Sequence, residues 1–109
     1  MNVRWLVGMS LMGAMGCDGA EDPSRTDDIL ALTGAAGFGE TVYQTNCAAC
    51  HAADGTGGVG ADLTVRVPAT DDAVVVDIVL TGTTGMPAFG NLSDQAIADL
   101  LAYLRQEHG

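Results

Sequence analysis

Two cysteines and a histidine near the middle of the chain constrain it more than any other feature. They form the run Cys47-Ala48-Ala49-Cys50-His51. Residues three apart on a helix lie on one face, with side-chain roots about 5–6 Å apart. Two thiols at that spacing can both bond to the vinyl groups on one edge of a haem, and the next residue can bring an imidazole nitrogen to the iron. The run therefore predicts one covalent c-type haem, attached through Cys47 and Cys50, with His51 as an axial ligand of its iron.

Three other kinds of site also use a Cys-x-x-Cys pair. A dithiol redox pair is expected after a strand in a βαβ unit, and no such pattern precedes Cys47. A zinc site needs a second pair of ligands, and the chain offers only His51, His108 and Cys17 besides the pair. A structural disulfide would fit an exported protein. The histidine directly after the second cysteine, together with the export signal described next, favours haem attachment.

The amino terminus has the pattern of an export signal. Arg4 precedes an apolar stretch from Trp5 to Met15, which is shorter than the roughly 20 residues that a bilayer span needs. A cationic start followed by a short apolar run is typical of a secretory signal. A buried helix is disfavoured because three glycines interrupt the run, each costing about 1 kcal/mol in a helix interior. We therefore expect residues 1–16 to be a signal peptide.

The residue after this signal is a cysteine, in the run Ala14-Met15-Gly16-Cys17. A cysteine after a small residue resembles the end of a bacterial lipoprotein signal, although Ala14 stands where such signals usually carry leucine. The resemblance implies cleavage before Cys17, attachment of lipid to this residue, and stable membrane anchoring, since two or more acyl chains hold a protein to a bilayer. Ordinary cleavage nearby would instead leave Cys17 a free thiol in a soluble periplasmic protein.

The segment that follows has the composition of a linker. Residues 18–28 are acidic and lack large apolar side chains, which predicts a solvated tether. The apolar run from Ile29 to Leu32 is where this tether would dock. We therefore expect an acidic tether over residues 17–33 and a single compact domain over residues 34–109.

Helical patterns dominate this domain. Its last segment carries an apolar stripe at helical spacing, with Ser93 as the expected N-cap. The middle segment is rich in valine, which leaves a strand as an alternative there, and Thr70 is its expected N-cap. No alternating strand pattern occurs elsewhere, so the predicted fold class is all-α. The predicted helices cover residues 36–50, 71–80 and 94–107.

The haem iron needs a sixth ligand or an open site. Of the five methionines, four lie within the expected signal, which leaves Met86. It lies in the run Gly85-Met86-Pro87-Ala88-Phe89, where the proline restricts the backbone and the glycine permits close approach to a flat ring. A lone methionine usually fills a gap in a core, but beside a haem motif we expect Met86 to be the second axial ligand. His108 is the rival ligand, and we expect it to be an ordinary surface histidine.

A glycine-rich run follows the haem motif. Gly55-Thr56-Gly57-Gly58-Val59-Gly60 satisfies the dinucleotide-binding pattern, but that site requires a preceding strand and a βαβ unit. Here the run follows His51 instead. We expect this loop to wrap the histidine face of the haem.

Together these residues resemble the class I monohaem cytochromes c of bacteria over residues 34–109. In that family a small residue and an aromatic residue precede the first haem cysteine by eight and four positions, and they pack against a leucine and an aromatic of the last helix. The resemblance implies a small cytochrome c fold, with three or more helices around one covalently bound haem and with the first and last helices crossing at the glycine. The matching residues here are Gly39, Tyr43, Leu100 and Tyr103.

The chain departs from this family after the glycine-rich loop. The family usually has Gly-Pro-x-Leu there, and the proline carbonyl accepts the hydrogen bond of the ligand histidine. This chain has Gly60-Ala61-Asp62-Leu63. Ala61 keeps a carbonyl for His51 but lacks the rigidity of proline.

Charge and ligation indicate the function class. Fourteen acidic and four basic residues give a net charge of −10, which argues against a nucleic-acid binder and favours redox partner proteins with basic docking patches. If His51 and Met86 close both axial positions, no site remains for oxygen or peroxide. We therefore expect a one-electron carrier and no enzyme, exported to the periplasmic face of a bacterial membrane. The alternatives are a haem sensor or peroxidase-like domain in which Met86 is displaced, and a fixed cytochrome subunit of a membrane oxidoreductase complex.

Overall fold

Helices form the secondary structure of the part of the chain that can be described. The computed structural model describes residues 23–109, so the expected signal peptide at 1–16 and the lipid on Cys17 lie outside the described residues. No strand occurs within residues 23–109, and the prediction of an all-α fold is confirmed. The helices are α1 Pro23–Leu30, α2 Ala36–Asn46, α3 Ala48–His51, α4 Leu63–Arg66, α5 Asp72–Thr81 and α6 Asp94–His108. None of these helices has the length and apolar character needed to cross a bilayer.

The longest helices, α2 and α6, cross in close contact. A Cβ atom on Gly39 or on Gly34 would clash with carbonyl oxygens of α6, so only glycine lets these backbones approach. Next to the crossing, the rings of Tyr43 and Tyr103 pack with centroids 5.5 Å apart and planes tilted by 42°. This is the crossing that the resemblance implied. The buried apolar side chains are Ile29, Tyr43, Val67, Val76, Val79, Ile97, Ala98, Leu100, Tyr103 and Leu104.

The two later helices begin differently from each other. Ser93 caps α6 as predicted, because its hydroxyl oxygen accepts the N–H of Ala96 at 3.0 Å. The valine-rich segment is the helix α5, but its N-cap position is occupied by Asp71, which makes no side-chain capping bond. The prediction of Thr70 as the cap is wrong, because the Thr70 hydroxyl donates to the carbonyl of Arg66 at 2.6 Å.

The start of α2 is capped from another helix. Ala35 occupies its N-cap position and offers no side-chain acceptor. Instead, the buried carboxylate of Asp99 in α6 accepts the N–H of Ala35 at 2.8 Å. The same oxygen accepts the amide of Gln95 at 2.9 Å. The carboxylate therefore ties the first turn of α2 to α6.

The segment predicted as one helix over residues 36–50 is two helices. Cys47 has φ −116° and ψ −31° and separates α2 from α3. Its N–H still bonds to the carbonyl of Tyr43 at 2.8 Å, so the chain turns without leaving the core. The short helix α4 was not predicted, and it is capped by Asp62, which accepts the N–H of Thr64 at 3.0 Å.

Helix α1 lies within residues 17–33, the expected acidic tether, of which residues 17–22 are outside the described part of the chain. Its acidic residues face solvent, but Ile29 is only 1% exposed. Arg25 bonds to the carboxylate of Asp94 at 2.7 Å and to the carbonyls of Gly90 and Leu92 at 2.7 and 2.6 Å. One isoleucine and one arginine thus dock the helix. Ile29 belongs to the apolar run that was expected to dock, whereas the role of Arg25 was not expected.

Candidate haem site

One cavity of about 360 Å³ is lined by the residues predicted to hold the haem. Cys47, Cys50 and His51 reach it from the end of α2 and from α3, and Met86 reaches it from the loop after α5. The structure therefore brings together all four predicted haem residues. Much of the remaining wall is aliphatic, formed by Leu63, Val67, Val75, Ile78, Val79, Leu100 and Leu104. A flat apolar ring with a reactive edge and a metal centre fits this combination of thiols, imidazole, thioether and aliphatic wall.

The two cysteines differ in their surroundings. Both thiols are free, with Cys47 half-buried and Cys50 exposed. Burial, with a smaller contribution from Cys50, raises the pKa of Cys47 to about 11. Since a dithiol redox pair reacts as the thiolate, this environment does not favour such a pair. Within residues 23–109, no group of three or more His, Cys, Asp or Glu side chains could hold a metal ion.

His51 is held in one orientation by the loop that follows it. The imidazole is 9% exposed, and its Nδ1 lies 2.8 Å from the carbonyl oxygen of Ala61. With Nδ1–H donating to that carbonyl, Nε2 keeps its lone pair for a metal. The hydrogen bond expected at Ala61 is therefore present without the proline.

The glycine-rich loop packs on His51. The N–H of Gly57 bonds to the carbonyl of His51 at 2.9 Å, and the N–H of Gly60 bonds to the carbonyl of Cys50 at 2.7 Å. A Cβ atom on Gly60 would lie 2.7 Å from the imidazole Cε1. Glycine is required at position 60 because the backbone there lies against the Cε1–Nδ1 edge of the imidazole.

Met86 lies on a tight loop that is closed by its own backbone. Thr83 and Met86 exchange N–H to carbonyl bonds of 2.9 and 3.2 Å. Gly82 has a positive φ of 74°, and a Cβ atom there would lie 2.6 Å from the carbonyl oxygen of Met86. These contacts hold the half-buried Met86 at the cavity.

His108 is not part of the cavity wall. It is half-buried rather than an ordinary surface residue, because its ring packs on Gly55, where a Cβ atom would lie 2.7 Å from Nε2. This corrects the expectation of a surface histidine and separates His108 from the candidate ligands.

Sequence reasoning missed two residues at this site. Arg66 lines the cavity, and no spacing rule links it to the haem motif. Tyr43 was expected only to pack on α6, but it also lines the cavity and donates its hydroxyl to the carbonyl of Ala52 at 2.6 Å. The rarity of basic residues in this acidic chain was the one sequence signal that could have drawn attention to Arg66.

Comparison with known proteins identifies the family. A family model described as cytochrome c oxidase, cbb3-type, subunit III matches residues 34–104. The chain belongs to this cytochrome c family. As a c-type cytochrome it carries covalently bound haem c with its iron, and the cofactor prediction is confirmed. Helix α1 of this cytochrome precedes the matched residues.

Individual relatives of this cytochrome differ in length. The cytochrome c-553-like protein of Synechocystis sp. is 36% identical over 78 residues, covering 71% of this chain and 73% of the relative. Cytochrome c6 of Cyanidium caldarium is 32% identical over 72 residues, covering 61% of this chain and 65% of the relative. The cbb3-type cytochrome c oxidase subunit CcoP of Azospirillum sp. is 36% identical over 102 residues, covering 77% of this chain. The chain spans about a third of that subunit, 34% of its length. No solved structure matches this cytochrome.

Proposed function

We propose that this cytochrome is a one-electron carrier with its haem attached through Cys47 and Cys50 and its iron bound by His51 and Met86. The observation that carries the proposal is that these four residues line one cavity. When bound, the haem supplies an iron that takes up and gives back a single electron. Electron transport also agrees with the family match and with the names of the relatives.

Different residues of the chain would hold different parts of the haem. The two thiols fix one ring edge, and the Nδ1–H of His51 donates to Ala61 and so increases the basicity of Nε2. Met86 would supply the second iron ligand from the loop after α5, which would leave no open site for a small substrate. The aliphatic wall excludes water and, with a methionine ligand, favours a high reduction potential.

Arg66 supplies positive charge at the cavity. The haem ring carries two propionate carboxylates, and a guanidinium is well suited to bind a carboxylate. Among the arginines of residues 23–109, the other two form ion pairs, Arg25 with Asp94 and Arg105 with Asp72. Arg66 has no part in either pair and lines the cavity.

We further propose that the cytochrome is exported and held at the periplasmic face of a membrane by lipid on Cys17, with a soluble periplasmic form as the alternative. The apolar run after Arg4 and the cysteine at position 17 support export and lipidation. The net charge of −10 favours partners with basic docking patches. Electron exchange with such a partner should slow as salt is added, and a salt-independent rate would contradict this steering.

One preparation tests the central proposal. Protein exported by a bacterium with haem-maturation machinery is examined by its alkaline pyridine spectrum and its intact mass. We expect the spectrum of a haem with both vinyl groups saturated, and a mass that includes one haem and the lipid on Cys17. A colourless product would overturn the proposed function, whereas a coloured product without added lipid mass would overturn only the anchoring.

A second candidate function is a fixed cytochrome subunit of a larger oxidoreductase. It is favoured by relatives that are named as subunits, CcoP and the gluconate 2-dehydrogenase cytochrome c subunit of Pantoea cypripedii, of which the chain spans 34% and 26%. Copurification with a membrane complex at fixed stoichiometry would support the subunit. Isolation as a freely exchanging protein would support the carrier.

A further inference from the structure

The residue directly after His51 has an unusual backbone conformation. Ala52 has φ 71° and ψ 158°, and among residues 23–109 it is the one non-glycine residue with positive φ. This region is costly for any residue that carries a Cβ atom, and it persists only where surrounding contacts hold it. The contacts that hold Ala52 therefore bear on the adjacent imidazole.

Hydrogen bonds fix the two peptides that flank Ala52. Its N–H bonds to the carbonyl of Ala48 at 2.8 Å, and the preceding carbonyl, that of His51, accepts the N–H of Gly57 at 2.9 Å. The carbonyl of Ala52 accepts two donors, the N–H of Gly55 at 3.1 Å and the hydroxyl of Tyr43 at 2.6 Å. Only the Tyr43 bond comes from outside this local stretch of chain.

The Tyr43 side chain is itself held rigidly by its surroundings. Its side chain is 1% exposed, and its ring packs against Tyr103. The hydroxyl is therefore presented to Ala52 by a ring with little freedom to move. Gln44, the next residue of α2, also reaches the turn, with its amide 3.3 Å from the carbonyl of Ala53.

We propose that Tyr43 is a positioning residue for the axial histidine, because its hydroxyl holds the Ala52 peptide in the left-handed conformation. The inference rests on the proposed role of His51 as an iron ligand. The left-handed turn reverses the chain after α3, so that Gly60 and Ala61 return to the imidazole and Ala61 accepts its Nδ1–H. Without the hydroxyl, Ala52 relaxes toward right-handed backbone, the loop shifts, and the bond between Nδ1 and Ala61 lengthens.

A rescue experiment tests this in the intact holoprotein. Tyr43→Phe removes the hydroxyl, Ala52→Gly removes the cost of the left-handed conformation, and the double variant combines them. Tyr103→Phe is the comparison variant, since it removes from the same ring pair a hydroxyl that is bonded to the Gln44 side chain and not to Ala52. The readouts are hydrogen exchange of the His51 ring N–H in the reduced state, followed by NMR, and the reduction potential.

If Tyr43 positions His51, the variants should differ in both the exchange rate and the reduction potential. Tyr43→Phe should accelerate exchange of the ring N–H about 3- to 10-fold, as expected for loss of one neutral hydrogen bond. It should also raise the reduction potential, because a weaker bond at Nδ1 makes the imidazole a poorer donor to iron. Ala52→Gly should return both readouts most of the way to the wild-type values. Tyr103→Phe should change both readouts less than Tyr43→Phe does, because its hydroxyl reaches the turn only through Gln44 and Ala53.

Two different failures can be told apart. If Tyr43→Phe leaves exchange and potential unchanged, or shifts them equally in the Ala52→Gly background, Tyr43 only packs and the inference is overturned. If the His51 ring protons of the reduced wild-type protein lack the large ring-current shifts of a haem ligand, ligation by His51 fails instead, and the proposed function fails with it.

Discussion

The imidazole Nδ1 of His51 lies 2.8 Å from the carbonyl oxygen of Ala61. This distance shows that the orienting hydrogen bond of the histidine does not depend on proline at that position. The carbonyl is brought there by the glycine-rich loop, whose Gly60 N–H bonds back to the carbonyl of Cys50 at 2.7 Å. The packing of this loop therefore places the carbonyl of Ala61 that orients His51, the proposed iron ligand.

We expect Gly60→Ala to disturb this bond directly. The new Cβ atom would lie 2.7 Å from Cε1 and 2.8 Å from Nδ1 of His51, so the ring or the loop must move. Overpacking of this kind costs about 1–3 kcal/mol. Chemical denaturation should show the loss, and the reduction potential should rise as the bond to Ala61 weakens. An unchanged potential would show that the ring does not depend on this contact.

We expect Met86→Ala to open the iron and lower the reduction potential, because a methionine ligand raises it. The reduced variant should bind one equivalent of carbon monoxide, whereas the reduced wild-type protein should bind none. His108→Ala is the control, since His108 lies outside the cavity wall. A visible spectrum altered by the His108 change would contradict the ligand assignment. Rapid carbon monoxide binding by the wild-type protein would favour a sensor or peroxidase-like function.

We expect Gly39→Ala to separate the crossing helices. Its Cβ atom would clash with the carbonyl oxygen of Asp99 and would lie 2.8 Å from the Cβ atom of Tyr103. A loss of about 1–3 kcal/mol in unfolding free energy should result. Gly37→Ala on the same helix is the control, because a Cβ atom there meets nothing within 4 Å, and it should gain about 0.5–1 kcal/mol. Equal effects of the two changes would contradict the close crossing.

We expect Arg66→Gln to lower the reduction potential. A positive charge at the cavity favours the reduced iron, which carries one positive charge fewer. The interaction of an exposed charge of this kind is worth about 0.2–1 kcal/mol. The difference from the wild type should shrink as ionic strength rises. Arg66→Lys should retain most of the wild-type potential. If the glutamine variant matches the wild type even at low salt, Arg66 does not act on the haem.

Tyr43 predicts an alkaline loss of stability. Burial is the main cause that raises the pKa of Tyr43, to about 12 with a smaller contribution from the free Cys47 thiol that a thioether would not make, whereas an unfolded tyrosine titrates near pH 10. The neutral hydroxyl thus stabilises the fold fully below about pH 10, and this contribution is lost as the pH rises through about 12. Denaturant midpoints measured from pH 8 to 12 should fall more steeply for the wild type than for Tyr43→Phe. If the midpoints of the two proteins fell equally with pH, ionisation of Tyr43 would not be the cause of the alkaline loss of stability.

Much of the fold and the haem motif could be predicted because the relevant contacts are local. Cys47, Cys50 and His51 occupy one helical turn, so helix geometry alone brings them to one face. The stripe of α6 and its Ser93 cap are likewise read from residues a few positions apart. Met86 was selected as the candidate ligand by elimination, and it lines the same cavity as His51.

Other features depend on residues that are far apart in the chain. Helix α1 is docked by Arg25 through acceptors 65 to 69 positions away, and the first turn of α2 is capped by Asp99 from 64 positions away. Composition predicted a tether that docks through the apolar run at Ile29, but it gave no sign of the bonds that Arg25 makes. Such contacts exist only once α6 is packed against its neighbours.

The amino-acid sequence by itself determined that two thiols, an imidazole and a thioether are available to one haem, with the first three at the end of a helix and the thioether on a loop. Only the tertiary structure decided which backbone atoms orient the imidazole, that the Tyr43 hydroxyl supports the turn at Ala52, and that Arg66 joins the cavity wall. The physical reason is that helix periodicity and capping act over a few residues. The partner of a buried polar group, in contrast, is chosen by how whole helices pack together.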